Sequence, residues 1–266
     1  MMSRLVEAAT YAPEWVRCVE KFYGVGFLSA GGERICQDLV ERLAVKEGDS
    51  VLDVGSGSGG MAFCLAENVG ATVTGVEYSG SLVTLARHRS EMKSLTDKVT
   101  FMERDMRKLD FEPQSFDAIL FWGSLVHVNA EDCLPMFRKA YDWLKPGGKL
   151  VKQGLMRSES DGTVTQKFKD YITRMGYNPI TYSECIQFLS SSGLQLLEFE
   201  NRRDFYIQDC ADTLDKVKKN WDEIIKDVSK ETLEKTVSFW EEKRRWAEDG
   251  VLYVCLLVAQ RPLQED

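Results

Sequence analysis

A strand-like run followed by a cluster of glycines is the part of the sequence with the clearest chemical meaning. Residues 50–54 read SVLDV and pass directly into GSGSGG, from Gly55 to Gly60. Glycine has no Cβ, so such a turn brings the backbone close to a ligand at the start of the next helix. The turn contains no lysine and is therefore not a phosphate-binding P-loop. Taken alone, the pattern also fits a simple tight turn between a strand and a helix.

Acidic residues follow at positions that suit a nucleoside. Glu77 ends the second apolar run, seventeen residues beyond Gly60, where a carboxylate accepts hydrogen bonds from both ribose hydroxyls. Asp105, with Met106 beside it, follows the third run, where a carboxylate typically meets the adenine amine. Asp53 immediately precedes the glycines. The spacing predicts a nucleoside-containing cofactor at the ends of these strands.

The order of these motifs resembles the class I S-adenosylmethionine-dependent methyltransferase family over roughly residues 45–155. The resemblance implies S-adenosyl-L-methionine as the cofactor, with Asp53 near its methionine ammonium. The expected cofactor contacts are Tyr11, Leu28, Ser29, Asp53, Gly55, Ser56, Gly57, Glu77, Tyr78, Asp105, Met106 and Phe121. A dinucleotide is the alternative cofactor, but the chain lacks a second nucleotide-binding half.

The elements that must position these residues alternate between apolar strands and amphipathic helices. Strand-like runs occur at residues 50–54, 71–76, 99–101, 116–121 and 148–152. Such alternation predicts a parallel sheet built from βαβ units. The class I resemblance implies an α/β fold with a Rossmann-like, doubly wound sheet of seven strands. It also implies N-terminal lid helices and a helical insertion near the C-terminus.

The second half of the chain has a different pattern. Residues 155–193 and 210–249 are predicted to be helical, the latter as one long charged stretch. Two strands, at 195–204 and 251–260, are expected to pair antiparallel. We interpret residues 1–266 as one methyltransferase domain, with a lid at 5–32, a cofactor core at 45–155, and helical acceptor-side elements at 155–193 and 205–249.

A narrower resemblance begins upstream of the glycines. Residues 22–32, FYGVGFLSAGG, resemble a segment of the phosphoethanolamine N-methyltransferase family that precedes the cofactor domain and closes over it. The resemblance places the family's lid tyrosine at Tyr11 and its histidine after the fourth strand at His127. An amine that attacks a sulfonium methyl group must be aligned and must lose its proton.

This pair is expected to be catalytic: His127 takes the proton, while the Tyr11 hydroxyl bonds to it, sets its tautomer and shuts the site. The alternative is that His127 is a structural residue in the core beside Trp122, with its hydrogen bonds made within the protein.

Three further positions match the same family. Tyr171 and Tyr177 correspond to tyrosines that contact the acceptor's phosphate, and Lys243 corresponds to a phosphate-binding lysine. Each position has a plain alternative, because the tyrosines also suit helix packing and the lysine also suits an exposed helix face. The resemblance therefore predicts an acceptor site that these three residues help to form.

Other positions depart from the family. Gly123 stands where the family has an acidic residue that faces the substrate ammonium, and Gln153-Gly154 stand where it has Asp-Tyr. Met175 replaces a phosphate-binding arginine. Each lost charge-assisted hydrogen bond costs on the order of 1.5–3 kcal/mol. Trp122 adds an aromatic face that suits a cation or a flat ring, so the pocket is expected to be rebuilt around residues 122 and 123 for a different acceptor.

Bulk composition excludes several classes of protein. The net charge of -8 and the pI of 5.1 argue against nucleic-acid binding. Seven scattered cysteines and two histidines indicate reduced thiols, with neither a disulfide framework nor a metal site. No apolar stretch reaches the roughly 18 residues of a membrane span. We expect a cytoplasmic protein, a monomer or weak dimer, whose partner is a small-molecule acceptor and neither nucleic acid nor membrane.

Three functional hypotheses remain open. The first is a small-molecule methyltransferase, acting on an amine nitrogen, with altered specificity. The second is true methylation of phosphoethanolamine or phosphomethylethanolamine, with Glu241, Asp204 or another side chain replacing the lost carboxylate. The third is a non-catalytic regulatory protein that binds S-adenosylmethionine.

Overall fold

Within residues 11–160 and 164–263, which the computed structural model describes, seven strands form one mixed sheet. The strands are β1 (Ser50–Val54), β2 (Thr72–Glu77), β3 (Val99–Glu103), β4 (Phe116–Trp122), β5 (Leu144–Arg157), β6 (Gln195–Asn201) and β7 (Leu252–Gln260). Their order across the sheet is β3-β2-β1-β4-β5-β7-β6. Strands β1 to β5 pair in parallel, and β7 runs antiparallel to β5 and β6. The predicted seven-stranded, doubly wound α/β fold is confirmed.

Helices cover both faces of this sheet. The α-helices are α1 (Pro13–Tyr23), α2 (Cys36–Leu43), α3 (Gly60–Val69), α4 (Gly80–Met92), α5 (Ala130–Trp143), α6 (Gln166–Met175), α7 (Tyr182–Ser192), α8 (Arg203–Lys219), α9 (Trp221–Ile224) and α10 (Lys230–Glu248). Short 3-10 turns occupy Gly32–Ile35, Met106–Lys108 and Leu125–His127. No helix in this described part of the chain combines the length and apolar composition that crossing a membrane requires.

Alternate residues of the central strands supply two separate hydrophobic cores. In β1, Val51 belongs to the core under α2 and α3, whereas Leu52 belongs to the core under α5 and α7. This division follows from the period of two along a strand, which sends neighbouring side chains to opposite faces. The apolar runs seen in the sequence are therefore strands that are buried on both faces.

The segment that contains α1 is fixed to the C-terminal helices by a buried polar network. The Tyr23 hydroxyl donates to Asp209 Oδ2 on α8 at 2.9 Å, and Trp240 Nε1 on α10 donates to the Tyr23 oxygen at 2.9 Å. The Gly31 amide also donates to Asp209 Oδ2, at 3.1 Å, and Arg34 forms an ion pair with Asp209. Buried polar groups that satisfy one another in this way specify a single arrangement. Of the predicted lid at 5–32, residues 5–10 lie outside the described part.

Element boundaries differ from the predictions in the second half of the chain. Strand β5 continues to Arg157, so residues 155–157 are not helical; they pair with β7. The strand predicted at 195–204 ends at Asn201, and helix α8 begins at Arg203. The long charged stretch predicted for 210–249 is divided among α8, α9 and α10. The last of these begins after Ser229, whose side chain accepts a hydrogen bond from the Thr232 amide, as an N-cap does. The expected antiparallel pairing of the last two strands is confirmed.

Candidate active site

A cavity of about 190 Å³ opens where β1, β2 and β4 end, beneath the N-terminal segment. Most of the predicted site residues line it: Tyr11, Leu28, Ser29, Gly55, Gly57, Glu77, Tyr78, Asp105, Met106, Trp122, Gly123, His127, Tyr177 and Lys243. Asp53 and Ser56 line a smaller adjoining cavity that shares Gly55 and Gly57 with the larger one. Residues from the two predicted sites, cofactor and acceptor, thus face one continuous space.

Two residues predicted to contact a ligand have side chains in the hydrophobic cores. The Phe121 side chain points to the opposite face of β4 from Trp122 and packs against Phe137 of α5, with ring centroids 6.4 Å apart. Tyr171 is buried behind Tyr177 and packs on Trp246, with ring centroids 5.7 Å apart. Neither side chain lines either cavity, because strand and helix periodicity turn them into the cores.

The glycine turn has the backbone geometry that its sequence requires. Gly55 and Gly57 have φ values of 85° and 55°, in the left-handed region. A Cβ on Gly55 would lie 2.3 Å from the Ser124 Cβ, so this position has no room for a side chain. A Cβ on Gly57 would meet only Leu28 Cδ1, at 3.7 Å, and would otherwise point into open space. Gly57 therefore leaves room for a ligand, whereas Gly55 allows β1 and the turn after β4 to approach.

The N-terminal segment crosses directly over this turn. The Gly60 amide donates to the Gly26 carbonyl at 3.0 Å. A Cβ on Gly26 would lie 2.6 Å from the Gly60 Cα, and Gly26 has a φ of 95°. Two glycines are thus needed for the two backbones to touch, which accounts for the spacing of the FYGVG motif.

Glu77 lies at the end of β2 with its carboxylate turned towards the glycine turn. Its Oε2 accepts a hydrogen bond from the Gly57 amide at 3.0 Å, and its Oε1 accepts one from the Ser79 amide at 2.9 Å. Each carboxylate oxygen has further lone-pair capacity for a diol. The backbone bonds hold the carboxylate at the cavity wall, in the place predicted for a ribose.

Asp53 is a buried carboxylate, 2% exposed, at the end of β1. No donor among residues 11–160 and 164–263 forms a hydrogen bond with it. Burial, together with the negative charge of Glu77, raises the pKa of Asp53 to about 7. A buried carboxylate without a partner is costly, and a cationic group in the adjoining space would relieve that cost. This suits the ammonium of the predicted cofactor.

Asp105 lines the cavity, as predicted, and it also has a structural role. Its carboxylate accepts hydrogen bonds from the Arg107 backbone amide at 3.0 Å and from the Arg107 guanidinium at 2.7 Å. These interactions with Arg107 lower the pKa of Asp105. Asp105 therefore caps the 3-10 turn that presents Met106 to the cavity. The sequence held a signal for this, since an aspartate two residues before an arginine suits such a cap.

His127 and Tyr11 line the same cavity without the hydrogen bond predicted between them. His127 packs edge-on against Tyr177, with ring centroids 5.3 Å apart. Its Nδ1 is buried and has no hydrogen-bond partner among the described residues. Burial lowers the pKa of His127 to about 4; a backbone hydrogen bond at Gly176 opposes this shift and the charge of Lys243 adds to it. The imidazole is therefore neutral at pH 7 and presents an unsatisfied nitrogen.

Sequence patterns did not single out several residues of the acceptor end. Trp15 from α1, Tyr206 from α8 and Phe239 from α10 all line the cavity. Gln153 does so as well; its amide donates to the Ala30 carbonyl at 3.3 Å and its oxygen accepts from Arg202 at 3.1 Å. Trp15, Tyr206 and Phe239 come from three helices and Gln153 comes from strand β5, all far apart in the chain, so only the tertiary fold brings them together.

The cofactor end of the cavity fits S-adenosylmethionine in its chemistry. Glu77 offers a fixed carboxylate for hydroxyl groups, Gly57 leaves an open cradle, and Asp53 offers an unpartnered carboxylate for a cation. Met106 and Leu82 provide apolar walls for a flat base. No group of three or more metal-ligating side chains occurs in residues 11–160 and 164–263.

Residues 51–148 match the family model of the methyltransferase domain. The chain contains a methyltransferase domain. It resembles the phosphoethanolamine N-methyltransferases: it is 31% identical over 259 residues to phosphoethanolamine N-methyltransferase 3 of Arabidopsis thaliana, covering 97% of this chain and 51% of that relative. It is 27% identical over 203 residues to the Plasmodium falciparum phosphoethanolamine N-methyltransferase. That match covers 76% of this chain and 75% of that relative. The chain thus spans about half the length of the plant relatives it matches.

Solved structures agree on the fold of this domain. Phosphoethanolamine N-methyltransferase 2 of Haemonchus contortus, in complex with phosphomonomethylethanolamine and S-adenosylhomocysteine, superposes with a TM-score of 0.92. The sequence identity is 23%, over 98% of this chain and 60% of that chain. The seven-stranded sheet described above is therefore the class I methyltransferase fold.

Proposed function

We propose that this protein transfers a methyl group from S-adenosylmethionine to a nitrogen of a small acceptor, with a specificity altered from that of phosphoethanolamine methyltransferases. One observation carries the proposal. A single cavity is lined at one end by Gly57 and Glu77 and at the other by His127 and Lys243. Cofactor and acceptor would share this space, which direct transfer requires.

Each end of the cavity has a defined role in the proposed methyl transfer. S-adenosylmethionine supplies an electrophilic methyl group on a sulfonium. Glu77 and Asp53 orient the cofactor through its hydroxyl and ammonium groups, and Gly26 with Gly60 keeps the N-terminal segment over it. His127 Nδ1, neutral and without a partner, holds or takes a proton from the acceptor nitrogen. The Tyr11 ring closes the cavity beside Trp15, with ring centroids 5.8 Å apart.

Methylation of phosphoethanolamine itself is the second candidate. The resemblance to enzymes of that name and the presence of Lys243 in the cavity support it. The two side chains suggested as substitutes for the missing carboxylate, Asp204 and Glu241, are exposed and are absent from the cavity lining. This weakens the second candidate relative to the first.

The proposal also covers the roles of the chain segments, the type of partner, the cellular location and the oligomeric state. Residues 5–32 would act as the lid, 45–155 as the cofactor core, and 155–193 with 205–249 as the acceptor side. The net charge of -8 supports a partner other than nucleic acid, and seven free cysteines support a cytoplasmic location. The proposal also takes the protein to act as a monomer or weak dimer.

The test incubates purified protein with methyl-labelled S-adenosylmethionine and an acceptor panel that includes phosphoethanolamine, its methylated forms, biogenic amines and a metabolite extract. Products are read by mass spectrometry, and cofactor binding is measured separately by calorimetry. Label on an acceptor supports the proposal, and the Tyr11→Phe/His127→Ala double variant is expected to lose most of that rate. Tight cofactor binding without turnover of any acceptor would instead favour the regulatory hypothesis.

A further inference from the structure

The acceptor end of the cavity contains a cation without an acidic partner. Lys243 Nζ lies over the ring of Phe239 at 4.1 Å and that of Tyr177 at 5.7 Å. The neighbouring carboxylate of Glu242 pairs with Arg174 instead. Lys243 thus forms no ion pair within the described residues, and its charge faces the cavity among aromatic rings. An anionic group on the bound acceptor would complete this site.

No carboxylate faces Lys243 from the described lining of the cavity. The two acids of that lining, Glu77 and Asp105, lie at the cofactor end and already accept hydrogen bonds from backbone amides. Asp53 lies in the smaller cavity under the glycine turn. An alkylammonium group at the acceptor end would therefore meet no opposite charge, a costly arrangement in a buried site.

The walls of this end are flat and apolar. Aromatic side chains line it, among them Trp15, Trp122, Tyr177, Tyr206 and Phe239. Beside them, Gly123 and Gly154 lie next to each other at the ends of β4 and β5. A Cβ on Gly154 would be 3.5 Å from the Gly123 Cα. The pair leaves a wall without side chains, against which a ring can lie.

Buried polar atoms on the same walls have no partners in the described structure. They are Trp122 Nε1, His127 Nδ1 and the Tyr206 hydroxyl. Buried groups of this kind are normally satisfied, so a ligand is expected to supply the missing bonds. The three groups can recognise polar substituents at the edge of a ring.

From these features, and resting on the proposed function, we infer that the acceptor is an aromatic or heteroaromatic amine that carries an anionic group. Lys243 binds the anion, the aromatic walls hold the ring, and the nitrogen reaches His127 uncharged. The nitrogen lone pair forms the new bond to carbon while the electrons of the breaking carbon–sulfur bond remain on sulfur. The nitrogen then carries the positive charge and releases one proton to His127 Nδ1.

The low basicity of His127 suits an acceptor whose nitrogen is already uncharged when it binds. Burial holds the pKa of this imidazole at about 4. An alkylammonium group titrates near ~10, so this histidine is poorly matched to removing its proton before transfer. A nitrogen on an aromatic ring needs no such step, and the acidic product it forms is readily deprotonated. The same imidazole is therefore suited to the proton released after transfer.

The experiment compares two acids that differ by one methylene group. 4-Aminobenzoate has an uncharged aryl amine at pH 7, and 4-(aminomethyl)benzoate has an alkylammonium at nearly the same distance from its carboxylate. Binding of each acid to the full chain is measured by calorimetry without cofactor, and methylation is measured with labelled cofactor. We expect 4-aminobenzoate to bind at least about ten-fold tighter and to take up the label.

Two pairs of variants test separately the lack of a carboxylate at the acceptor end and the role of the Lys243 charge. Gly154→Asp places a carboxylate at a position where a Cβ makes only ordinary contacts, so it is expected to reverse the preference in favour of 4-(aminomethyl)benzoate. Gly154→Asn has the same shape without the charge and is expected to keep the original order. Lys243→Met is expected to weaken both acids by about ten-fold, and Lys167→Met, which lies near Trp246 outside the cavity lining, to weaken neither.

Several results would overturn the inference. Tighter binding of 4-(aminomethyl)benzoate by the wild-type protein would do so, as would binding of neither acid. Efficient labelling of phosphoethanolamine in preference to 4-aminobenzoate would overturn the acceptor class while leaving methyl transfer intact. Loss of cofactor binding would instead count against the proposed function, because the preference between the two acids is measured without cofactor.

Discussion

Both carboxylate oxygens of Glu20 accept hydrogen bonds from the guanidinium of Arg89, each at 2.7 Å. Glu20 Oε1 also accepts from the Ser58 hydroxyl at 2.8 Å and from the Gly26 amide at 3.0 Å. One carboxylate of helix α1 therefore joins the N-terminal segment, the glycine turn and helix α4. This contact fixes the segment over the cofactor end of the cavity.

Replacing Glu20 with Gln is expected to destabilise the fold and weaken cofactor binding together. The pair is largely buried, with side-chain exposures of 8% for Glu20 and 16% for Arg89. Breaking it leaves a guanidinium without its partner, at a cost of about 2–3 kcal/mol. Urea denaturation measures the stability, and titration with S-adenosylmethionine measures the affinity.

A surface pair provides the control for this variant. Lys93 and Glu67 form an ion pair with exposures of 40% and 42%, so Glu67→Gln is expected to cost below about 1 kcal/mol and leave cofactor affinity unchanged. Equal effects of Glu20→Gln and Glu67→Gln would show that the buried pair does not fix the segment.

Two glycines of the same turn are expected to respond differently to alanine. Gly55→Ala adds a Cβ that would lie 2.3 Å from the Ser124 Cβ, so the fold is expected to lose on the order of 3 kcal/mol. Gly57→Ala adds a Cβ that meets only Leu28 at 3.7 Å, so the fold is expected to lose about 1 kcal/mol from its backbone conformation. That Cβ enters the cofactor space, and Gly57→Ala should weaken S-adenosylmethionine binding about ten-fold or more.

Chemical denaturation and calorimetric titration distinguish these effects. A Gly57→Ala protein that binds the cofactor as tightly as the wild type would place the cofactor elsewhere. A fully stable Gly55→Ala protein would contradict the close approach of the two turns.

The sequence was sufficient for features that depend on local pattern. The parallel half of the sheet follows from βαβ alternation, and the glycine turn with Glu77 follows from the spacing between two apolar runs. These residues are held by backbone geometry close to them in the chain. Glu77 therefore lies beside the glycine turn and accepts a hydrogen bond from the Gly57 amide, and its contact with a ribose stays a prediction.

Features that depend on distant contacts were not predictable. Asp209 meets Tyr23 across 186 positions of the chain, and no local pattern pairs them. Strand parity explains one error: adjacent residues of β4 face opposite ways, so Phe121 and Trp122 do not both reach the cavity. The hydrogen bond expected between Tyr11 and His127 also depends on tertiary placement: His127 Nδ1 has no partner among the described residues, and its ring packs against Tyr177.

His127 is expected to make stability depend on pH in a defined direction. Its pKa in the folded protein is about 4, below the ordinary value of 6.5. The unfolded chain therefore binds more protons between pH 4 and 6.5, so this residue makes stability rise with pH across that window. The contribution is complete above pH 6.5 and amounts to about 3 kcal/mol.

The measurement compares wild type with His127→Gln by urea denaturation at pH 4.5, 5.5 and 6.5. The difference in unfolding free energy between the two proteins is expected to grow with pH, because other titrating groups cancel in that difference. A constant difference across the three pH values would contradict a buried neutral imidazole.

Asp53 is expected to act in the opposite direction. Burial, with the nearby charge of Glu77, raises its folded pKa to about 7, above its unfolded value near ~3.9. The folded protein therefore binds more protons between these values, and stability contributed by the protonated group is lost as pH rises through 7. Asp53→Asn should thus stabilise the cofactor-free protein at pH 8, relative to wild type, by up to about 4 kcal/mol.

Binding of the cofactor is expected to lower the raised pKa of Asp53. A cationic ammonium beside Asp53 favours the carboxylate, so binding at pH 6 is expected to release a proton, and affinity is expected to rise from pH 6 to pH 8. Calorimetry in two buffers of different ionisation enthalpy detects that proton. Asp53→Asn should abolish the buffer dependence and weaken binding at pH 8 about ten-fold or more, through the loss of a charge-assisted bond. A buffer-independent enthalpy for the wild type would mean that Asp53 does not meet the ammonium, and the carboxylate would then need another role.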